Sequence, residues 1–439
     1  MKFGTDGVRG VAHDELTTDF AVRLARAASA VLGAEGCSTV VIGGDTREST
    51  AAFDAALTDG FSSSGIDVIR MGVASTPAVA FEAQRRGAMG AVVSASHNPW
   101  HDNGIKLFAP GGTKLPDDVE TRIEAAIEVG PALTGRTGSV DVDRSFAAYE
   151  DHVLEILDGR TLDGLKVVVD VANGAAVDIA PDVLRATGAE VVVVADRPDG
   201  RNINDGCGAT HAEFVAAAVL EHGADVGIAL DGDADRLIAV DHRGQVVDGD
   251  HVIAICALDL RDRSQLADDT VVVTVMTNLG FRLAMDAASI SVVETGVGDR
   301  YVLEALGAGG FSLGGEQSGH VIFADRATTG DGVLTALALL DVVARSGRPL
   351  ADISDAAMTS LPQVLVNVRV AERVPDVAER MADEVSQVER QLGDSGRVLL
   401  RASGTEPLIR VMVEAPTAEI AQSTADALAA VAAQRFGSS

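Results

Sequence analysis

Three stretches of the chain share one design: STVVIGGDTR near residue 40, LKVVVDVANG near residue 168 and DTVVVTVMTN near residue 272. Each is a β-branched apolar run that stops at a polar turn. A strand that is apolar on both faces must be covered on both sides, which is the situation of a parallel sheet between helix layers. Alanine-rich segments of helical length alternate with such runs, and this alternation is the pattern of α/β layers. The three stretches lie about 100 to 130 residues apart, the size of a unit that closes its own core. The spacing predicts three related α/β domains. Between the first two, VGPALTGRTGSVDVDRS (residues 129–145) is rich in Gly, Thr and Ser and reads as a linker, and the second domain closes near the polar turn in DHRGQVVDGD. After residue 360 the texture changes to PQVLVNVRV, a helix-like DVAERMADEVSQVERQL, two further strand-like runs and a last alanine-rich helix. This is a smaller α+β domain. The expected boundaries are 1–148, 149–249, 250–359 and 360–439.

A chain of 439 residues exceeds what one core can serve, and 47% hydrophobic residues supply material for several. The net charge of −30 makes the average surface repel nucleic-acid phosphate and anionic membranes, so neither is an expected partner. Lysine occurs only at positions 2, 106, 114 and 166, which sets Lys106, inside a polar loop, apart from its background. Cys37, Cys207 and Cys256 are far apart, odd in number and without a CxxC pair, as expected of reduced thiols in the cytoplasm. The first residues, MKFGTDGVRG, lack the apolar core of a signal peptide, and no apolar run reaches the roughly 18 residues of a membrane helix. A soluble cytoplasmic protein is expected, monomeric or homodimeric.

Four polar loops carry chemistry. AVVSASHNPWHDNGIK (residues 91–106) puts Ser94 and Ser96 just past a short strand, the end that faces the ligand crevice in open α/β sheets. Pro99 keeps Asn98 out of helical geometry, so His97 and His101 cannot form a helical metal pair. The Gly-x-Ser-x-Gly of a hydrolase elbow is absent. An exposed serine beside proton carriers remains, and strand position does not choose between Ser94 and Ser96. In GADVGIALDGDADRL, Asp231, Asp233 and Asp235 follow an apolar strand over residues 226–230. Three carboxylates so close repel unless a cation neutralises them, and hard oxygen ligands favour Mg²⁺ or Ca²⁺. The EF-hand pattern fails, because its sixth and twelfth positions would be Arg236 and His242. Arg236 next to the acids suggests an anionic co-ligand such as phosphate.

The third loop, SLGGEQSGHVIF, sets Glu316, Ser318 and His320 among glycines. In an extended segment Glu316 and Ser318 point the same way, able to accept from and donate to adjacent sugar hydroxyls. The fourth, LLRASGTEPLIRVMVE, joins two strands through Ser403, Gly404 and Thr405, with Arg401 before and Arg410 after. Hydroxyls, glycine amides and guanidiniums together suit a phosphate dianion. A serine, a metal site beside an arginine, a sugar reader and a phosphate cradle argue for phosphoryl transfer on a phosphosugar.

SASHNP, DGDADR, GEQSGH and RASGTEP, in this order and at this spacing, resemble the four signature loops of the α-D-phosphohexomutase family, and the likeness runs from Phe3 to about Glu414. Within it FGTDGVRG, GEQSGH in place of GEMSGH, and VGDRYV (Val297 to Val302) resemble the branch that acts on glucosamine phosphate; those acting on glucose or mannose phosphate are the alternative. The resemblance implies three related α/β sandwich domains and a smaller α+β carboxy-terminal domain around one central cleft. It implies that Ser96 rather than Ser94 carries a phosphoryl group, and that Mg²⁺ is held by Ser96, Asp231, Asp233 and Asp235. Glucosamine 6-phosphate and glucosamine 1-phosphate then interconvert through the 1,6-bisphosphate, which serves as intermediate and activator. Lys106, with His97 second, is the expected proton carrier, and Arg9 and Arg236 neutralise charge. Glu316, Ser318 and Arg300 would contact the sugar phosphate, and Arg401, Ser403, Gly404, Thr405 and Arg410 its non-reacting phosphate. A phosphatase passing the phosphoryl group to water and a non-catalytic sugar-phosphate sensor are the rival classes.

Overall fold

The computed structural model describes residues 2–4, 6–130, 135–403 and 407–437. It divides into two compact units, one of residues 1–276 and 290–357, the other of residues 277–289 and 358–439.

The first unit holds three sheets. The first contains β1 (Val8–Val11), β2 (Thr39–Gly44), β3 (Asp67–Val73), β4 (Met89–Val93), β5 (Asp102–Phe108) and β6 (Val140–Val142), in the order β1-β5-β4-β2-β3-β6. The second contains β7 (Lys166–Asp170), β8 (Glu190–Val194), β9 (Val226–Leu230), β10 (Leu237–Asp241) and β11 (Val246–Val247), in the order β11-β10-β9-β7-β8. The third contains β12 (Thr270–Thr274), β13 (Ser291–Thr295), β14 (Leu313–Gly315) and β15 (Val321–Phe323), in the order β13-β12-β14-β15.

The predicted repeat is therefore present as topology. In each sheet the first run, β2, β7 or β12, lies in the middle with the next strand parallel on one side and the third parallel on the other. A fourth strand then returns antiparallel beside the third, as β5 on β4, β10 on β9 and β15 on β14. The turn between third and fourth strands is the same place in all three units. It carries SASHNP in the first, DGDADR in the second and GEQSGH in the third. The middle strands β7 and β12 are buried through their apolar residues, as full coverage by helices requires.

The expected linker is only partly one. Its Val140–Val142 forms β6, paired in parallel with β3, because three alternating residues suffice to add an edge strand. Within this unit Tyr149 is buried, and its hydroxyl donates to both oxygens of Asp331 at 3.0 and 2.8 Å. Asp331 in turn caps the helix Gly332–Ser346 by accepting from the Val333 and Leu334 amides.

The second unit holds β16 (Gln363–Arg369), β17 (Arg397–Ala402) and β18 (Leu408–Glu414), antiparallel in the order β16-β18-β17. Its core includes Val368, Val377, Met381, Val411 and Leu428, and the chain ends on the long helix Ala418–Phe436. The single helix expected over DVAERMADEVSQVERQL is instead two, Val377–Arg380 and Ala382–Leu392. Met381 leaves helical geometry at φ −116°, ψ 18°. Val377 and Met381 are fully buried while no residue of Ala382–Leu392 is, so the two pieces meet different burial demands.

Tyr149→Phe leaves the buried Asp331 carboxylate short of its hydroxyl donor. We expect a loss of about 1–3 kcal/mol, read as a lowered denaturation midpoint; an unchanged midpoint would mean that the hydroxyl does not contribute.

Candidate active site

Neither serine is exposed as expected: Ser94 and Ser96 are both fully buried, and Ser96 lies in the left-handed region at φ +52°. A non-glycine residue rests there only when its neighbours hold it. Its amide donates to Ser94 Oγ at 2.9 Å, and its carbonyl accepts from Arg47 Nη2 at 3.2 Å and Asn204 Nδ2 at 2.9 Å. The same two donors reach the Asn98 carbonyl at 2.5 and 3.1 Å. Arg47 is itself buried and paired with Asp45 at the end of β2. Gly232 is required where it stands, because a Cβ there would meet the Ser96 carbonyl oxygen at 2.5 Å.

Held in this way, Ser96 directs its Oγ to Asp231 Oδ2, to which it donates at 2.6 Å, and lies 3.3 Å from His97 Nδ1. Ser94 faces the Ser96 amide instead, so the two serines that strand position could not separate do different things. Asp231, Asp233 and Asp235 are buried, and they offer ligand atoms all within 4.8 Å of one another. Asp231 is occupied on both oxygens, Oδ1 accepting from the Arg236 amide at 3.2 Å. Asp233 Oδ2 accepts from Thr76 Oγ1 at 2.6 Å and from Lys106 Nζ at 2.8 Å. Asp235 Oδ2 accepts from Lys106 Nζ at 3.0 Å. Among the described residues no hydrogen bond reaches Asp233 Oδ1 or Asp235 Oδ1, although both are buried. Asp235 Oδ1 has only the His320 ring at 3.7 Å and Arg236 Nε at 3.8 Å, so two buried carboxylate oxygens without hydrogen bonds, beside a third acid, fit a hard cation.

Electrostatics follow the same layout. Burial and the charges of Asp235 and Asp233 push the Asp231 carboxyl well above the usual carboxylate range. Burial opposes the ionised form of Asp235 too, but Lys106, His320 and Arg236 outweigh it and hold that carboxyl well below. Burial likewise works against charge on Lys106, yet Asp233, Asp235 and Asp6 prevail and keep it an ammonium. His97 is lowered to about 4 by burial and by Arg236 and Arg9, so it is a neutral imidazole at physiological pH.

Against Asp235 lies a cavity of about 500 Å³ whose lining also includes Asp6, Arg9, Arg236, Glu316 and His320. Arg9 on β1 pairs with Asp6 and reaches the Ala95 carbonyl at 3.4 Å. Glu316 accepts from the Gly298 amide at 3.0 Å, and Ser318 Oγ is buried without a hydrogen-bond partner among the described residues. These two do not sit in an extended segment as expected. Gly319, at φ +90°, closes a turn in which its amide donates to the Glu316 carbonyl at 3.0 Å. Glycine's access to positive φ overrides the alternation that the reading assumed. Direct backbone bonds tie the loops together: Leu237 N to Gly319 O and Gly332 N to Ala234 O, each at 3.0 Å. Another cavity, about 470 Å³, lies beside His152, Cys256, Arg263 and Asp341, and among the described residues its lining includes no residue of SASHNP, DGDADR, GEQSGH or RASGTEP.

Arg300 does not stand free for substrate; its guanidinium is engaged by Asp117 and, at 2.6 Å, by Glu120. In the second unit Arg401 and Arg410 are directly opposite each other on β17 and β18. Like charges so placed are unfavourable, and burial together with Arg410 lowers the Arg401 pKa. Ser403 is buried beside them, its amide donating to the Leu408 carbonyl at 2.8 Å. Gly404 and Thr405 lie outside the described residues.

The sequence reading did not single out Thr76, Arg47, Asn204, Asp6, Lys114 or Asp299. Lys114 joins Asp6, at 3.3 Å, to Asp299. Its rarity as a lysine was a usable signal, and Arg47 belongs to the polar end of the first repeated run, whereas Thr76 and Asn204 had none.

Four models of the phosphoglucomutase/phosphomannomutase family match in series: its alpha/beta/alpha domain I at residues 1–132, domain II at 147–244, domain III at 248–361 and the C-terminal domain at 365–431. The phosphoglucosamine mutase of Frankia alni is 55% identical over 446 residues, covering 98% of this chain and 97% of that one. The phosphoglucosamine mutase of Thermobifida fusca is 54% identical over 441 residues, with 98% and 97% covered. A crystal structure of a phosphoglucomutase/phosphomannomutase family protein from Burkholderia thailandensis superposes with a TM-score of 0.82 at 25% identity, covering 98% of this chain and 97% of that one. With four domain models in order and relatives alike over nearly their whole length, the chain belongs to the phosphoglucomutase/phosphomannomutase family, as its four loops led us to expect.

Proposed function

We propose that the chain is a phosphoglucosamine mutase, interconverting glucosamine 6-phosphate and glucosamine 1-phosphate through phosphorylated Ser96 and the 1,6-bisphosphate. The observation that carries the chemistry is Ser96 Oγ set against Asp231 beside two buried aspartate oxygens that no hydrogen bond among the described residues reaches. The choice of glucosamine rests on the names of relatives at 55% and 54% identity. The segments proposed as domains, 1–148, 149–249, 250–359 and 360–439, each contribute one loop.

Asp231, Asp233 and Asp235, with the phosphate on Ser96, would hold Mg²⁺. When bound there the ion would offset charge on the phosphoryl group in transfer. The phosphoryl group leaves Ser96 Oγ for the sugar O1, whose hydroxyl gives up its proton; Ser96 is then rephosphorylated from O6, and the proton returns. Of the two expected proton carriers His97, being neutral, has a lone pair to accept that proton, whereas Lys106 enters as a cation. Arg9 and Arg236 would face the developing charge, and Glu316 and Ser318 the sugar hydroxyls. Arg300 would act indirectly, through the acids that hold it. Arg401, Ser403, Gly404, Thr405 and Arg410 are proposed as ligands of the phosphate that stays on the sugar. A cytoplasmic location fits three free buried cysteines; among the described residues no helix is long and apolar enough to cross a membrane.

Specificity constants for glucosamine, glucose and mannose 6-phosphates should be highest for glucosamine; a preference for either of the others overturns the substrate assignment. Ser96→Ala should retain the folded spectrum and melting behaviour yet lose mutase turnover by a factor of at least about 10³, the scale on which a covalent nucleophile acts. Wild-type turnover in that variant would refute the phosphoserine route, and phosphate release without isomerised sugar by the wild type would point to a phosphatase. Arg410→Ala should raise KM for the sugar phosphate more than it lowers kcat, and an unchanged KM would remove Arg410 from the binding site.

A further inference from the structure

Ser75, Thr76 and Pro77 open the helix Thr76–Arg86, with Ser75 as its cap accepting from the Ala78 amide. A threonine in the first turn usually turns its hydroxyl to water or to nearby backbone. Thr76 is only 1% exposed and does neither: its hydroxyl donates to Asp233 Oδ2 at 2.6 Å, 157 residues further along the chain. Its amide also donates to the Asp233 carbonyl, at 3.0 Å. Both ends of Asp233, main chain and side chain, are thus held by one residue. The amide belongs to a helix N-terminus, whose partial positive charge favours an acid there.

The consequence lies on the other carboxylate oxygen. Thr76 and Lys106 together fill Asp233 Oδ2, which leaves Asp233 Oδ1 buried and without a hydrogen bond among the described residues; Lys106 fills Asp235 Oδ2, and Asp235 Oδ1 has only the His320 ring at 3.7 Å and Arg236 Nε at 3.8 Å. We propose that Thr76 is a positioning residue for the metal site, fixing Asp233 so that Oδ1 is the oxygen presented to a divalent cation. This rests on the metal reading of the three aspartates given above. Groups that orient a metal ligand in this way typically account for about 10–100-fold in metal affinity.

The test measures Mn²⁺ binding by electron paramagnetic resonance in the full-length protein, with melting curves recorded without metal. Thr76→Val removes the hydroxyl at nearly constant volume and should weaken Mn²⁺ about 10–100-fold, whereas Thr76→Ser, which keeps the hydroxyl, should stay within about threefold of wild type. The metal concentration for half-maximal turnover should rise by the same factor in Thr76→Val, with KM for the sugar phosphate at saturating metal unchanged. Val binding Mn²⁺ as tightly as wild type overturns the proposal, and so does Ser binding as weakly as Val, because that assigns the effect to the methyl group's packing. If Thr76→Val does not fold, Thr76→Ala against Thr76→Ser carries the same comparison. Absence of Mn²⁺ binding by the wild type is a separate outcome: it overturns the metal reading itself, and this inference with it.

Discussion

Three carboxylates buried within 4.8 Å of one another are the constraint that the neighbourhood answers. Like charges so close in a poorly solvated site cannot all ionise unless positive charge enters with them. Lys106 supplies part of it, with Nζ between Asp233, Asp235 and Asp6 at 2.8, 3.0 and 2.9 Å. The compensation is incomplete, as Asp231 shows by being pushed toward its neutral form. A second cation near Asp231 would settle the remaining imbalance, and the position next to it belongs to Ser96 Oγ. The serine that we propose is phosphorylated and the place where a dication would be held are therefore one locus.

That locus exists because of topology. SASHNP and DGDADR occupy the same turn in two copies of one supersecondary unit, and GEQSGH is that turn in the third. Each copy contributes a strand that is buried, then a loop free of helical or sheet obligations. The loops are then locked to one another by backbone bonds such as Leu237 to Gly319 and by the approach that Gly232 permits to Ser96. Rigid scaffolds with short, interlocked loops suit phosphoryl transfer, in which placement and charge do most of the catalysis.

Much of this was legible in the residues. Apolar runs such as VVV at residues 167–169 and VGIAL at residues 226–230 leave little choice but a covered strand, and acids at alternate positions directly after one have few innocent explanations. Two readings failed where glycine or burial overruled a local pattern: Gly319 turned the expected extended Glu316–Ser318 segment, and the buried Met381 broke an amphipathic helix. The grip on the site was illegible for a different reason. Thr76, Arg47 and Asn204 act across separations of 49 to 157 residues, through a hydroxyl, a guanidinium and an amide that are ordinary where they stand in the chain. Nothing local distinguishes a threonine that caps a helix from one that also holds an aspartate.

Net charge gives the last step. At −30 the molecule as a whole repels a phosphosugar, but at physiological ionic strength that repulsion is screened beyond about 8 Å. Capture must then depend on cations at contact range that are not already neutralised. Many arginines here are neutralised, Arg300 by Asp117 and Glu120 and Arg47 by Asp45 among them. Arg236 too stands among acids, with Asp235 at 3.8 Å and Asp231, Glu316 and Asp233 also raising its pKa, whereas Arg401 and Arg410 are directly opposite each other. A phosphate dianion between Arg401 and Arg410 would relieve their like-charge pairing, so in an otherwise acidic protein that pair has more to gain from an anion than an arginine already held by carboxylates.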